Sequence, residues 1–272
     1  MRISAIHIYP VKSLGPVALD VASVEARGLT GDRRWLIVDE GSRFVTRREI
    51  PALARIAMSA GADGRYRLSH PDGEAVLEPT AMAGATTPVV VWRDTVDAVV
   101  VENEASALIS AVAGRTLRLA YMPDVSVRPI DPNFGRTGEM VSFADGYPIL
   151  VTSEASLAAL NAHLETPISM ARFRPNIVLA GDGEPWAERD WSGLVTGNLR
   201  LRFAKPCERC IVMTQDPATG VRNEGNAVPL ALRKLGQFGK GGALFGMNAI
   251  ADMPGRVAVG DEAVSGDHWP KT

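Results

Sequence analysis

"PVVVWRDTVDAVVV", Pro88 to Val101, holds two runs of β-branched residues with Trp92, Arg93 and Asp94 between them. Valine crowds the turn below it in a helix but packs well on a pleated surface. The stretch therefore predicts two strands and the turn that joins them. Working outward, "GRYRLSHPDGEAVLE" (64–78) repeats the pattern, with Pro71-Asp72-Gly73 at its turn. "RRWLIVDEGSRFVTRRE" (33–49) predicts strands over 35–38 and 43–46, around Asp39-Glu40-Gly41-Ser42. "RISAIHIYPV" adds a strand carrying Ile3, Ile6 and Ile8, which stops at Pro10. Short strands at this spacing predict a barrel or sandwich in the first half.

Helices are few. In "ENEASALISAVAG" (102–114), Ala105, Leu108, Ile109 and Val112 share one helical face, and Gly114 stands where a C-terminal cap belongs. "YMPDVSVRPIDPNFG" (121–135) has three prolines and no apolar period, so it reads as a connector. A domain boundary is placed near residue 120, giving regions 1–120 and 121–272. In "TSEASLAALNAHLE" (152–165), Ser153 is expected to cap a helix with a stripe of Leu157, Leu160 and Leu164. "PNIVLAG", "LRLRFA" and "CIVMT" read as strands, "VPLALRKLGQF" as a short helix, and "GRVAVGDEAV" as a closing strand and turn. The expected class is β-rich α+β.

Composition excludes several functions. Of 272 residues, 46% are apolar and 22% charged, as in core-forming globular proteins. A net charge of -2 offers no global attraction for nucleic acid, and 6% aromatics leave few platforms for stacked bases. No stretch reaches the ~18 apolar residues of a membrane span. The N-terminus lacks the apolar core of a secretory signal, so the expected location is cytoplasmic.

Both cysteines, Cys207 and Cys210, lie in "AKPCERCIVMTQDPATG" (204–220). Structural zinc needs a second ligand pair, and His7, His70, His163 and His268 have no ligand spacing. A thioredoxin-like pair needs a helix after its first thiol, whereas Ile211 to Thr214 has a strand pattern. A single thiolate on a soft metal is a third use, with the adjacent Arg209 favouring the ionised form. Two cysteines packed as small hydrophobes are the fourth.

Cationic stations recur at predicted strand ends: Lys12 with Ser13, Arg33 with Arg34, Arg47 with Arg48, and Arg172 and Arg174 with Asn176. Singly, each reads as a solvated charge. Together they suit a small polyanionic ligand, with arginine forks matching phosphate. No Walker loop occurs, and "GKGGALFG" lacks the strand-loop-helix context of one.

"YPVKS", "GDRRWLIVD", "LVTSEASLAALN", "FRPNIVL", "PWAERDW", "PCERCIVMTQDPATG" and "LFGMNA" occur here in one order along nearly the full chain. In this the chain resembles the MOSC proteins, relatives of the molybdenum cofactor sulfurase C-terminal domain. It is most similar to the branch with an N-terminal MOSC β-barrel domain, which includes amidoxime-reducing components and YcbX-type proteins. The resemblance implies a MOSC β-barrel after the N-terminal one, with the molybdenum cofactor (Mo-molybdopterin) between them. It implies Cys210 as metal ligand, and Lys12, Ser13, Arg33, Ser153, Arg174, Asn176 and Arg209 as cofactor-binding positions. Thr214 and Asp216 would shape the metal's surroundings, although Asp216-Pro217 also reads as a turn. The implied activity is two-electron reduction of N-hydroxylated compounds such as amidoximes, hydroxylamines and N-oxides. Two cysteines are too few for the plant-type iron–sulfur domain of some relatives, so a separate flavin or iron–sulfur donor protein is expected. A molybdenum cofactor or persulfide carrier needs the same pocket and stands as the alternative. The family also carries an association with pyridoxal phosphate binding.

Overall fold

The computed structural model describes residues 1–80 and 84–266; His268 lies outside them. Within them the protein is strand-rich with three α-helices, α1 (Glu104–Ala113), α2 (Glu154–Asn161) and α3 (Ala227–Lys234). A nine-stranded sheet dominates. Its path runs Val264–Ser265, Gly193–Thr196, Leu199–Glu208, Gly242–Ala251, Ile149–Ser153, Ile177–Ala180, Arg2–Ile8 and Val17–Leu19, with Phe238–Gly239 paired to Gly242–Ala251.

Two of these strands, Ile149–Ser153 and Ile177–Ala180, run parallel. A parallel pair needs a long crossover, and α2 supplies it. Leu160 of α2 is buried, with Leu157 and Leu164 partly buried beside it, which is the predicted stripe. Ser153 occupies the cap position but its side chain makes no capping hydrogen bond, contrary to the sequence expectation. Its place at the end of a buried strand holds it 7% exposed.

The predicted hairpins form at Thr87–Val91 with Asp94–Val101 and at Tyr66–His70 with Gly73–Leu77. The first extends through Arg118–Tyr121 to Trp35–Val38 in a four-stranded sheet. The strand expected over 43–46 does not form. Phe44 and Arg43 make only isolated bridges, to Val38 and Val90, because they pass between two strands that already have partners. Helix α1 is capped as expected by Gly114 at φ 68, and also by Asn103, whose side chain accepts from Ser106 N.

The two halves share strands. Arg2–Ile8 pairs with Ile177–Ala180, and Gly255–Ala258 pairs with Val21–Glu25. A bulge between Ile3 and Ala5 explains why Ile3, an odd number of residues from Ile6 and Ile8, is buried with them. The chain ends thereby tie regions 1–120 and 121–272 together, and the cleft between them is walled by both.

A third departure from the sequence expectation is at Ile211 to Thr214. These residues form a 3-10 turn with Cys210 at its N-cap, not a strand. The chain after Leu199–Glu208 keeps its neighbour through the bond from Arg209 N to Ala243 O at 2.8 Å and loses it at Cys210. The chain then folds inward, burying Met213 and Thr214.

Candidate functional site

Tyr9 to Ser13 leave the first strand and enter the cleft floor. Lys12 is 7% exposed. Its Nζ donates to Phe143 O at 2.8 Å and to Asp145 Oδ1 at 2.5 Å. Burial pulls Lys12 down to about 8, against the attraction of Asp145. Asp145 is exposed at the cleft mouth, and Lys12 and Arg48 hold its carboxyl well below the usual carboxylate range.

Arg33 and Arg174 clasp the ring of Tyr9, their guanidinium carbons 4.5 and 4.1 Å from its centroid. Arg33 donates to Asp32 Oδ2 at 2.6 Å and to Asn176 Oδ1 at 3.0 Å. Arg174 donates to Leu14 O at 2.7 Å. Burial opposes the charge on Arg33, yet Asp32 and Tyr9 raise it above the ordinary arginine value. Burial brings Arg174 down to about 9 and Arg47 to about 10. Both remain cations at neutral pH. Lys12 and Arg33 have carboxylate partners in Asp145 and Asp32, whereas Arg47 and Arg174 donate to Gln215 and to backbone carbonyls, so an anion would relieve their charge.

Backbone strain gathers here. Ser13, Arg33 and Arg174 have φ of 81°, 49° and 53°. Non-glycine residues seldom hold positive φ, and they do so mainly where surrounding structure enforces a functional arrangement.

The cysteine segment closes the cleft. Cys207 and Arg209 are two residues apart on extended backbone and face the same side. Arg209 Nη1 donates to Cys207 Sγ at 2.9 Å and Nη2 to Phe173 O at 2.6 Å. Its buried Nε has no protein partner. The cation adjoining Cys210 in sequence thus serves Cys207. Cys210 is exposed, and the guanidinium that reaches it is Arg48, with Nε 3.5 Å from Sγ. Arg48 also contacts Asp145 Oδ2 at 3.5 Å. Phe173 and Phe245 stack at 3.7 Å among the apolar residues that include Met213 of the turn after Cys210.

The structure brings Lys12, Ser13, Arg33, Arg174, Asn176, Arg209 and Cys210 to one cleft. Asn176 uses its whole amide on protein: Oδ1 also accepts from Leu150 N, and Nδ2 donates to His7 O. Ser153, Thr214 and Asp216 are not in the lining. Thr214 Oγ1 donates to Ile211 O, and Asp216 Oδ1 accepts from Ala218 N and Thr219 N, a turn-making role. Arg34 points instead to Met122 O and Asp124, and Arg172 to Glu224. Arg47, Arg48, Asp145 and Asn248 complete the wall. The doubled arginines of 47–48 were visible in sequence; Asp145, in a segment with no apolar period, carried no signal.

A phosphorylated organic cofactor with a soft metal needs an accessible thiol beside cations with donors to spare. Exposed Cys210, the unpartnered Arg209 Nε, and Arg47 and Arg174, whose hydrogen-bond partners are neutral oxygens, fit that requirement. Among the described residues no group of three or more His, Cys, Asp or Glu gathers as a metal cluster.

Residues 1–116 match the MOSC N-terminal beta barrel domain, and residues 138–264 match the MOSC domain. The chain is 32% identical to mitochondrial amidoxime-reducing component 1 of Homo sapiens, over 95% of this chain and 81% of that protein. The chain belongs to the MOSC family. Its relatives include mitochondrial amidoxime-reducing component 1 of Xenopus laevis, 30% identical over 95% of this chain and 80% of that one. The human component 2 is 29% identical over 80% of this chain and 68% of that one. In this MOSC protein the N-terminal barrel match supplies Lys12, Ser13, Arg33, Arg47 and Arg48, and the MOSC match supplies Asp145, Arg174, Asn176, Arg209 and Cys210. The cleft is assembled from both matched regions.

Proposed function

We propose that this MOSC protein reduces N-hydroxylated compounds, with a molybdenum cofactor in the cleft and electrons from a separate flavin or iron–sulfur protein. One observation carries the reading: an exposed thiol, Cys210, opens into a cleft ringed by cations from both matched regions. The amidoxime-reducing names of its relatives support the substrate class. Each turnover would consume two electrons and two protons, break the N–O bond and release water.

The cofactor, when bound, supplies the two-electron redox chemistry. The protein's own residues bind and orient. Cys210 offers the sulfur ligand. Lys12, Arg33 and Arg174 present positive charge to the anionic tail, with Asn176 holding Arg33 in place. Arg48 bridges Cys210 and Asp145, linking the thiol to the Lys12 pair. The reading does not draw on pyridoxal phosphate, because the lysine lining this cleft, Lys12, is engaged by Asp145 and Phe143. A cytoplasmic setting, which two free thiols suit, belongs to the same proposal.

Exposure of Cys210 also favours a second reading, a carrier that hands on cofactor or sulfur. Protein made in a molybdenum-replete host separates the two. The reductase retains molybdenum and reduces benzamidoxime with an artificial electron donor. A carrier releases cofactor to an apoprotein and reduces nothing. Cys210→Ser is expected to lose both metal and turnover, and Cys207→Ser to keep most of each. Equal loss in the two variants would sink the assignment of Cys210.

A further inference from the structure

A second cavity opens beside the first, lined by Phe44, Trp92, Pro129, Ile130 and Tyr147 among others. Asp145, Gly146 and Tyr147 line both, so the two spaces adjoin along that segment. A Cβ built on Gly146 would meet nothing within 4 Å, so the space beside it is open.

Trp92 stands between the two spaces. It sits at the turn between Thr87–Val91 and Asp94–Val101 with φ 57°, a conformation unfavourable for a bulky residue. Its side chain is 41% exposed yet held from several directions. Phe44 packs at 4.9 Å, Arg48 lies 4.3 Å from the ring centroid and Lys12 Nζ 5.8 Å. The residue is thus an aromatic wall of the second cavity tied to the cations of the first.

The charged residues of the lining balance, Arg93, Arg128 and Lys205 against Asp94, Asp131 and Asp145, so the walls favour a flat body without net charge over a second anion. Arg128 is occupied by Asp94 at 2.8 Å and by the carbonyls of Ser142 and Ala144. Lys205 lies 3.7 Å from Glu208 and over the ring of Phe134. Tyr147, pushed by burial to about 12, stays a neutral phenol. Phe44, Trp92, Pro129, Ile130, Pro132, Val141 and Tyr147 supply the apolar and aromatic part of the wall, the part that holds the body of a small molecule.

We propose that this cavity seats the planar apolar body of an aryl N-hydroxylated substrate, whose N–O group reaches past Gly146 into the cleft of Cys210, and that Trp92 sets the preference for aryl over small alkyl compounds. The proposal rests on the reductase reading for its chemistry.

The test is calorimetric titration of the cofactor-loaded protein, without electron donor, with benzamidoxime and with acetamidoxime. Wild type is expected to bind the aryl compound about tenfold more tightly, the effect of one good aromatic contact. Trp92→Ala should bring the ratio close to one, and Trp92→Phe should keep most of it. Gly146→Val, at a position without positive φ or close neighbours, should also lower the ratio by narrowing the passage. A ratio unchanged in Trp92→Ala, or no binding of either compound to wild type, overturns the proposal. If the ratio collapses but wild type reduces neither compound with an artificial donor, the reductase reading fails and the aryl seat stands. If wild type reduces both and the ratio does not move, the seat fails and the reductase reading stands.

Discussion

Asn176→Ala tests whether the cleft is held rigid by a buried girder. Asn176 is 1% exposed. Its Oδ1 accepts from Arg33 Nη1 at 3.0 Å and from Leu150 N at 3.1 Å, and Nδ2 donates to His7 O at 3.1 Å. One side chain therefore joins three segments from both halves near strand ends: His7 closes Arg2–Ile8, Arg33 precedes Trp35–Val38 and Leu150 opens Ile149–Ser153. Alanine leaves the buried Leu150 N–H and the half-buried His7 carbonyl without this partner. Each such buried group costs roughly 1–3 kcal/mol, so the pair, with the slackened Arg33, sums to about 4 kcal/mol. In a chain of this size each kcal/mol moves the melting temperature by roughly 2–4 °C, giving a fall of roughly 8–16 °C. Thermal unfolding followed by circular dichroism, with urea titration as a second measure, reads this directly. A melting temperature within about 2 °C of wild type, less than the shift for a single kcal/mol, would refute the girder and leave Asn176 as a ligand-facing amide.

Three further outcomes are expected. Lys12 is lowered by burial from 10.5 to about 8, so the folded state releases this proton more readily than the unfolded chain. Its contribution to stability therefore rises as pH climbs from about 8 toward 10.5, whereas the hold of the cleft on an anion weakens from about 8 upward. Calorimetric titration with inorganic sulfate, whose charge does not change between pH 7 and pH 9, should show that loss, and Lys12→Arg should lessen it; a wild-type affinity equal at both would contradict the assignment. Gly220 has φ +76°, and a Cβ there would stand 2.1 Å from Pro51 O. Gly220→Ala should destabilise the fold by about 3 kcal/mol or more in urea unfolding, since backbone on both sides blocks relief. Asn103→Ala removes the capping box of α1 and should cost about 1 kcal/mol, with sulfate affinity unchanged because the helix is not part of the cleft lining.

Much of the site was legible as residue types. Lys12, Ser13, Arg33, Arg174, Asn176, Arg209 and Cys210 stood out in sequence and line the cleft together. Their partners were not legible. Arg209 adjoins Cys210 in the chain, yet the guanidinium at Cys210 comes from Arg48, 162 residues away. Arg34 and Arg172 belong to the same doubled or clustered patterns as Arg33 and Arg174, yet bind Asp124 and Glu224. A short sequence window states that a cation is present; it does not state which way the strand end turns it.

By itself the sequence determined the short-range structure: the valine hairpin at 88–101, the faces of α1 and α2, and the cap at Gly114, all set by periods of two and 3.6 and by backbone preference. Only the tertiary structure decided that the first strand joins the sheet of the second half, and that Ile211 to Thr214 coil although they are β-branched or apolar enough to extend. A strand persists where a neighbour accepts its hydrogen bonds, and that neighbour lies far along the chain. The cleft has the same origin, because its charges are gathered by register, bulge and crossover rather than by proximity in sequence.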